Sequence, residues 1–197
     1  MNRALLAAVL AVVLLAGCAS TPPNPAAATP SPSASPATAT AAANFNDADV
    51  MFLQMMLPHH GQAVQIAKLA KDKATRKEIK DLAVAVEATQ LAEAETMTGW
   101  LRSWGRPTTV DTNPDLHAHH GGMPATSKEV IDALARTGGG KFDRDAVNVL
   151  TGHQHGAVEM ARNVLRDGSN PQVKELADRI VKSRTAQIQQ LLAFLGQ

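Results

Sequence analysis

Two adjacent histidines follow two methionines and a proline in the stretch MMLPHHGQAV, residues 55–64. On a helix, Met55 lies one turn before His59. Met56 stands in the same relation to His60, so each thioether lies beneath an imidazole. The two imidazoles diverge by roughly 100° around such a helix, so one can face a bundle axis while the other meets a neighbouring helix. Imidazole with thioether and no thiolate is typical of sites for copper, especially Cu(I), and by extension silver.

A related stretch, LTGHQHGAVEMA at residues 150–161, carries two further histidines. His153 takes the place that His59 has in the first stretch, whereas the second histidine has moved to His155, on the opposite side of a helix. We therefore expect His153 to face the core and to meet His59 across it. His155 lies over Glu159, and it is as consistent with a surface ion pair as with a metal ligand.

A carboxylate falls on an otherwise apolar helical stripe after the first histidine pair. Glu93 lies three residues from Gln90 and four from Met97. A buried carboxylate is costly unless it pairs with a cation, a metal ion or an imidazolium. Glu93 and Met97 are therefore candidate ligands. The matching position in the second half is Gln187, so we expect an asymmetric site.

A third cluster lies in the segment DLHAHHGGMP, residues 115–124, with the candidate ligands His117, His119, His120 and Met123. All 7 histidines of the chain fall in the three clusters, which favours a shared function over scattered positions. The simpler interpretation stays open for each residue. A methionine at core spacing more often fills the core than binds metal, and the histidines of this third cluster are equally consistent with a solvated loop.

The sequence lacks the residues that other kinds of metal site require. None of the histidines is preceded by the Glu-x-x of a di-iron site, and the zinc-protease motif His-Glu-x-x-His is absent. We therefore expect a binding protein and not an enzyme. Two alternatives remain open: an interaction module whose histidines only pack or pair, and a metal-dependent oxidase that uses Glu93 with His59 and His153. Zinc or iron remain alternative metals, because both accept imidazole with carboxylate.

An internal repeat predicts the helices that position these residues. A shift of 94 residues aligns the two halves without a gap, with Asp49 on Asp143 and His59 on His153. Apolar residues recur every three or four positions, which indicates helices. The predicted long helices cover residues 46–71, 74–104, 142–167 and 171–195. Within the crossover, 105–140, we expect a short helix that starts with a capping box from Thr126 to Glu129 and ends at Gly138 to Gly140.

This pattern predicts an all-α fold. Two repeated helical hairpins, at about 45–105 and 139–197, joined by a long crossover make a ferritin-like four-helix bundle. The domain as a whole spans residues 45–197, which is long enough for one well-packed core.

The N-terminus predicts export. One arginine precedes an apolar run, residues 4–16, that is too short to span a bilayer. The sequence Leu-Ala-Gly-Cys that ends at Cys18 resembles the bacterial lipobox. We therefore expect residues 1–17 to be a signal peptide and Cys18 to carry the lipid that anchors the protein in the cell envelope; ordinary secretion is the alternative. Residues 18–44 are uncharged and rich in Pro, Ala, Ser and Thr, which predicts a disordered linker.

The charge balance excludes one class of partner. The chain has 19 basic and 18 acidic residues, and loss of the signal peptide removes one arginine. A neutral domain offers no electrostatic basis for nucleic-acid binding. The single cysteine is used for the lipid, so neither a disulfide nor a cysteine ligand is expected. The expected partners are a metal ion and, through the lipid, a membrane.

The residues also resemble a known family, the bacterial domain of unknown function 305 family, over 45–197. The resemblance rests on Phe52-Leu53, Met56-Leu57-Pro58-His59-His60, Ala63-Val64, Gln90, Glu93, Met97, Trp100-Leu101 and Trp104-Gly105. It implies a duplicated ferritin-like bundle, often secreted or lipidated, with members that bind copper in the periplasm for copper tolerance. It also implies His59, His60 and the methionines as ligands. The family's second half usually carries another adjacent histidine pair, whereas this chain reads His153-Gln154-His155, so the resemblance supports the first site better than the second.

Overall fold

The computed structural model describes residues 44–111 and 125–196. These residues form five α-helices and no strand: α1 (Asp47–Lys73), α2 (Lys77–Ser103), α3 (Lys128–Arg136), α4 (Gly139–Asp167) and α5 (Pro171–Leu195). The all-α prediction is confirmed, and α1 with α2 and α4 with α5 form the two expected hairpins. No helix among the described residues is long and apolar enough to cross a membrane. The signal peptide, Cys18, the linker and the cluster of His117, His119, His120 and Met123 lie outside the described residues.

The long helices begin and end within three residues of their predicted bounds, but two details of the crossover were wrong. Ser127, and not Thr126, caps α3: its side chain accepts a hydrogen bond from the Val130 N–H at 3.4 Å. The glycine run does not end α3, which stops at Arg136. Instead α4 begins at Gly139, whose positive φ of 60° suits a residue without a side chain.

Two buried aspartates tie each hairpin to the other. Asp49 of α1 accepts hydrogen bonds from the backbone N–H and the hydroxyl of Ser169, both at 3.1 Å, just before α5. Asp143 of α4 accepts the same two bonds from Thr75, at 2.8 and 2.6 Å, just before α2. Both the aspartates and their donors are related by the 94-residue shift, so the structure makes one contact twice, as a duplication predicts.

Replacement of Asp49 by alanine is expected to lower the free energy of unfolding by about 2 kcal/mol. The change removes the hydrogen bonds that hold Ser169 and Asn170 in place before α5. Through Asn46 it also removes half of the capping box of α1, and a lost cap costs roughly 0.5–2 kcal/mol. Urea unfolding followed by circular dichroism measures the effect. Asp47→Ala, at an exposed acid in the same turn, is the matched control. A loss no larger than that of the control would contradict the capping role.

The apolar core forms two groups along the bundle. One contains Leu53 and Leu101, and the other contains Ile66, Ile79 and Phe142. On each of the four long helices, buried polar side chains lie between the two groups. The candidate ligands His59, His60 and His153 therefore lie in the middle of the bundle, with apolar packing on either side.

Candidate metal centre

A layer of polar side chains crosses the middle of the bundle. Each long helix contributes two, and the set is His59 and His60 from α1, Gln90 and Glu93 from α2, His153 and Gln154 from α4, and Arg184 and Gln187 from α5. Buried polar groups cost free energy unless they are paired. The partners of these side chains therefore decide what the layer can do.

His59 and His153 meet at the centre of this layer, as the repeat predicted. Their rings stack with centroids 3.8 Å apart and planes 19° apart. The His153 Nε2 lies 3.1 Å from the backbone oxygen of His59, which can only accept, so Nε2 carries the proton and donates. His153 Nδ1 then accepts a hydrogen bond from the Thr126 hydroxyl at 2.9 Å. Among the described residues, no partner lies in hydrogen-bond geometry with either ring nitrogen of His59, although a weaker contact with the His153 backbone acts to raise its pKa.

Burial keeps both stacked imidazoles neutral. Desolvation, followed by the charges of His153, His60 and Arg184, lowers the pKa of His59 to about 2. Desolvation also dominates at His153, whose pKa falls to about 4. Neutral imidazole is the form that binds metal ions, so neither ring has to lose a proton at neutral pH before it can act as a ligand.

His60 lies in a buried group with Glu93 and Arg184. Its Nε2 is 2.7 Å from Glu93 Oε2, and the same oxygen accepts a hydrogen bond from Arg184 Nη2. Burial lowers the pKa of His60 despite the neighbouring carboxylate, so the ring is neutral and donates from Nε2. Its Nδ1 carries a lone pair that no described residue hydrogen-bonds.

The carboxylate of Glu93 holds that ring in place. Burial raises the pKa of Glu93, but the hydrogen bond from His60 and the charge of Arg184 together outweigh burial, and the net pKa is lowered. Glu93 is therefore ionised, with Arg184 as its counter-ion. A carboxylate behind a histidine fixes the tautomer and the orientation of the ring, which is how many proteins prepare a histidine for a metal.

The second hairpin carries a neutral version of this pair. His60 and Glu93 correspond through the repeat to Gln154 and Gln187, and the Gln154 side-chain amide donates to Gln187 Oε1 at 2.7 Å. The same packing therefore holds an imidazole and a carboxylate in one half and two amides in the other. The predicted asymmetry of the site agrees with this arrangement.

The methionines divide between two places. Met56 and Met97 are fully buried, one turn from His60 and Glu93 respectively. Because α1 and α2 run antiparallel, these two methionines lie at one level of the bundle, next to the polar layer. Met55 instead lines a separate cavity between α1 and α4.

The other predicted ligands lie away from the polar layer or outside the described residues. His155 is exposed on α4, and the structure does not bring it to the buried histidines. Among residues 44–111 and 125–196, no three His, Cys, Asp or Glu side chains converge on one point. A ligand set built from these described residues alone has to be small or has to include thioether sulfur.

A surface pocket of about 410 Å³ gives the histidine stack contact with the outside. His59 and His153 form part of its wall, together with Thr126, Val130 and Asn148. Both residues are only 3% exposed, so the pocket meets only a small part of their surface.

Sequence reasoning missed two residues of the centre. Arg184 corresponds to Gln90 through the repeat. A positively charged residue at a position expected to be buried could have indicated that Glu93 has an ion-pair partner within the chain. Thr126 was assigned to the cap of α3, whereas its hydroxyl donates to His153. No sequence signal distinguished Thr126 from Ser127, because both carry hydroxyls beside the helix start.

Comparison with known proteins agrees with the fold and the family resemblance. The family described as Domain of unknown function (DUF305) matches residues 49–195. A DUF305 protein of Streptomyces coelicolor, described as a predicted secreted protein, is 27% identical with a TM-score of 0.68, and the match covers 76% of this chain and 92% of that one. A DUF305 fragment from Deinococcus radiodurans is 25% identical with a TM-score of 0.67, covering 80% of this chain and 98% of that one.

A third similar structure is CopM in its Cu(II)-bound form. It is 31% identical with a TM-score of 0.62, and the match covers 74% of this chain and 94% of CopM. Cu(I)-bound and silver-bound forms of CopM are similar to this chain as well. The chain matches none of the curated proteins compared with it. Since the family match spans most of the chain, the protein belongs to the DUF305 family.

Proposed function

We propose that this protein binds a soft transition-metal ion, above all copper, at the buried histidines of the polar layer. The observation that carries the proposal is a pair of buried imidazole lone pairs that no hydrogen bond from a described residue occupies: one on the neutral ring of His59 and one on Nδ1 of His60. Buried polar atoms in proteins are nearly always hydrogen-bonded. A metal ion would use these lone pairs and remove the cost of burying them.

The donor set favours a soft ion. Glu93 is the carboxylate of the layer, and Arg184 already neutralises it. The remaining donors are the imidazoles and, one turn away, the thioethers of Met56 and Met97. Imidazole with thioether suits Cu(I), which accepts a low coordination number, better than it suits zinc or iron. The copper-bound and silver-bound forms of the similar protein CopM support this choice.

We further propose a binding role outside the cytoplasm, in copper buffering or tolerance, for a lipoprotein anchored through Cys18. The lipobox and the linker sequence support export, as does the description of the Streptomyces coelicolor relative as a predicted secreted protein. An oxidase would need Glu93 free to bind a metal, and its hydrogen bonds to His60 and Arg184 argue against that role.

Copper titration of the full chain tests the histidine site. In the variant His59→Gln with His60→Gln, we expect the Cu(I) affinity to fall by at least about 100-fold. Loss of a residue that only orients a metal ligand costs about 10–100-fold in affinity, and loss of the ligands themselves should cost at least as much. Glutamine can still donate to Glu93, as Gln154 donates to Gln187, so the fold should persist, and circular dichroism checks this. Competition with a Cu(I) chelator under anaerobic conditions gives the affinity.

The matched control is His155→Gln, the same change at an exposed histidine of α4. It should bind copper like the wild type. Equal stoichiometry and affinity in the double variant and the wild type would refute the proposed site. If the protein is instead an interaction module, the natively purified protein should contain no metal, and elemental analysis measures this directly.

A further inference from the structure

A second group of methionines lies away from the histidines, around a small cavity between α1 and α4. Met51 and Met55, one turn apart on α1, line it together with Met160 of α4. Met55 and Met160 are each only 6% exposed. The cavity holds about 30 Å³, which is room for about one water-sized particle. Three methionine side chains therefore line a space that fits a single dehydrated ion.

The packing of α1 against α4 does not require methionine at these positions. Through the repeat, Met55 corresponds to Val149 and Met160 to Ile66, which are branched aliphatic side chains, and Met51 corresponds to Asp145. The second half thus packs the equivalent positions without methionine. The described residues contain five methionines, and three of them border this one cavity. Core filling alone gives no reason for that concentration.

We propose that Met51, Met55 and Met160 form a second metal site, selective for the soft monovalent ions Cu(I) and Ag(I). Thioether sulfur is a soft and uncharged ligand that hard or borderline ions such as zinc bind poorly. The rest of the wall is mixed: Phe52 and Val164 are apolar and favour loss of the ion's hydration shell, whereas Asn163 and Asp167 are polar. This site shares no ligand with the histidine layer, so it goes beyond the function proposed above.

Silver titration of the full chain, labelled with ¹³C at the methionine methyl groups, tests the proposal. We expect Ag(I) to shift the methyl resonances of Met51, Met55 and Met160, and Zn²⁺ to leave them in place. In the triple variant Met51→Leu, Met55→Leu and Met160→Leu, which nearly conserves volume, the silver stoichiometry should fall by one ion per chain. Met97→Leu is the matched control for a buried methionine that does not line the cavity, and the three shifts should persist in it.

The variant His59→Gln with His60→Gln separates the two sites. If both proposals hold, it loses the histidine site and keeps the silver-induced shifts of the three methyl groups. If it binds copper as the wild type does but the methyl shifts persist, the histidine proposal fails and the methionine site stands. Methyl resonances that do not move with silver, or a triple leucine variant with full silver stoichiometry, would overturn the methionine site.

Discussion

Replacing Arg184 with leucine is expected to lower the free energy of unfolding by about 3–5 kcal/mol, because it leaves the Glu93 carboxylate buried without a counter-ion. Arg184 is fully buried and Glu93 is 13% exposed. Leucine fills part of the space but neutralises nothing. Urea unfolding of the metal-free protein at neutral pH, followed by circular dichroism, measures the loss.

Two further variants show whether charge pairing is the cause. Arg184→Gln with Glu93→Gln removes both charges, and the repeat already places glutamine at both equivalent positions, Gln90 and Gln187. We expect this double variant to recover most of the lost stability. Arg179→Leu, the same change at an exposed ion pair on α5, should cost less than about 1 kcal/mol.

Either of two results would contradict this account. Arg184→Leu could unfold within about 1 kcal/mol of the wild type, which would mean that water reaches Glu93 and screens it. Alternatively, the double variant could be as unstable as the single variant. In that case packing around the arginine side chain, and not the buried charge, would account for the loss.

The helices and the central histidine stack were predictable because both follow from periodicity and from the repeat. An ungapped duplication places His59 and His153 at equivalent positions on α1 and α4, and the two rings stack. The same spacing showed that Glu93 falls on a buried stripe. It could not show what Glu93 meets, because the contact between α2 and α5 depends on how the two hairpins pack together. Arg184 therefore emerged only from the structure.

Two other features depend on which neighbouring helix a side chain reaches. A projection of α1 alone places Met55 one turn below His59, yet Met55 borders the cavity against α4 and not the pocket beside the histidine stack. Thr126 and Ser127 are equally good caps by local sequence, and His153 decides between them by accepting the threonine hydroxyl. Local sequence patterns thus predicted each helix, whereas the partner of each buried side chain depends on contacts between helices.

Lowering the pH from 6.5 to 4.5 is expected to destabilise the metal-free protein by roughly 2–3 kcal/mol for each ring of the stacked pair, at about 1.4 kcal/mol per pH unit. In the unfolded chain both imidazoles take up protons below about pH 6.5. In the folded protein the pKa of His59 is about 2 and that of His153 about 4, so both stay neutral. The unfolded state therefore binds more protons throughout this interval, and stability falls with pH.

Between pH 6.5 and 4.5, the contribution of the histidines to stability can be measured apart from that of the Glu93 carboxylate. The lowered pKa of Glu93 stabilises the fold above the ordinary glutamate value of 4.5, and that contribution disappears only as the pH falls further. Urea unfolding at several pH values should therefore give a flatter profile for His59→Gln with His153→Gln than for the wild type. Some slope should remain, because His60 also has a lowered pKa. His155→Gln should follow the wild type, and parallel profiles for the wild type and the double variant would show that the stacked pair is not buried in its neutral form.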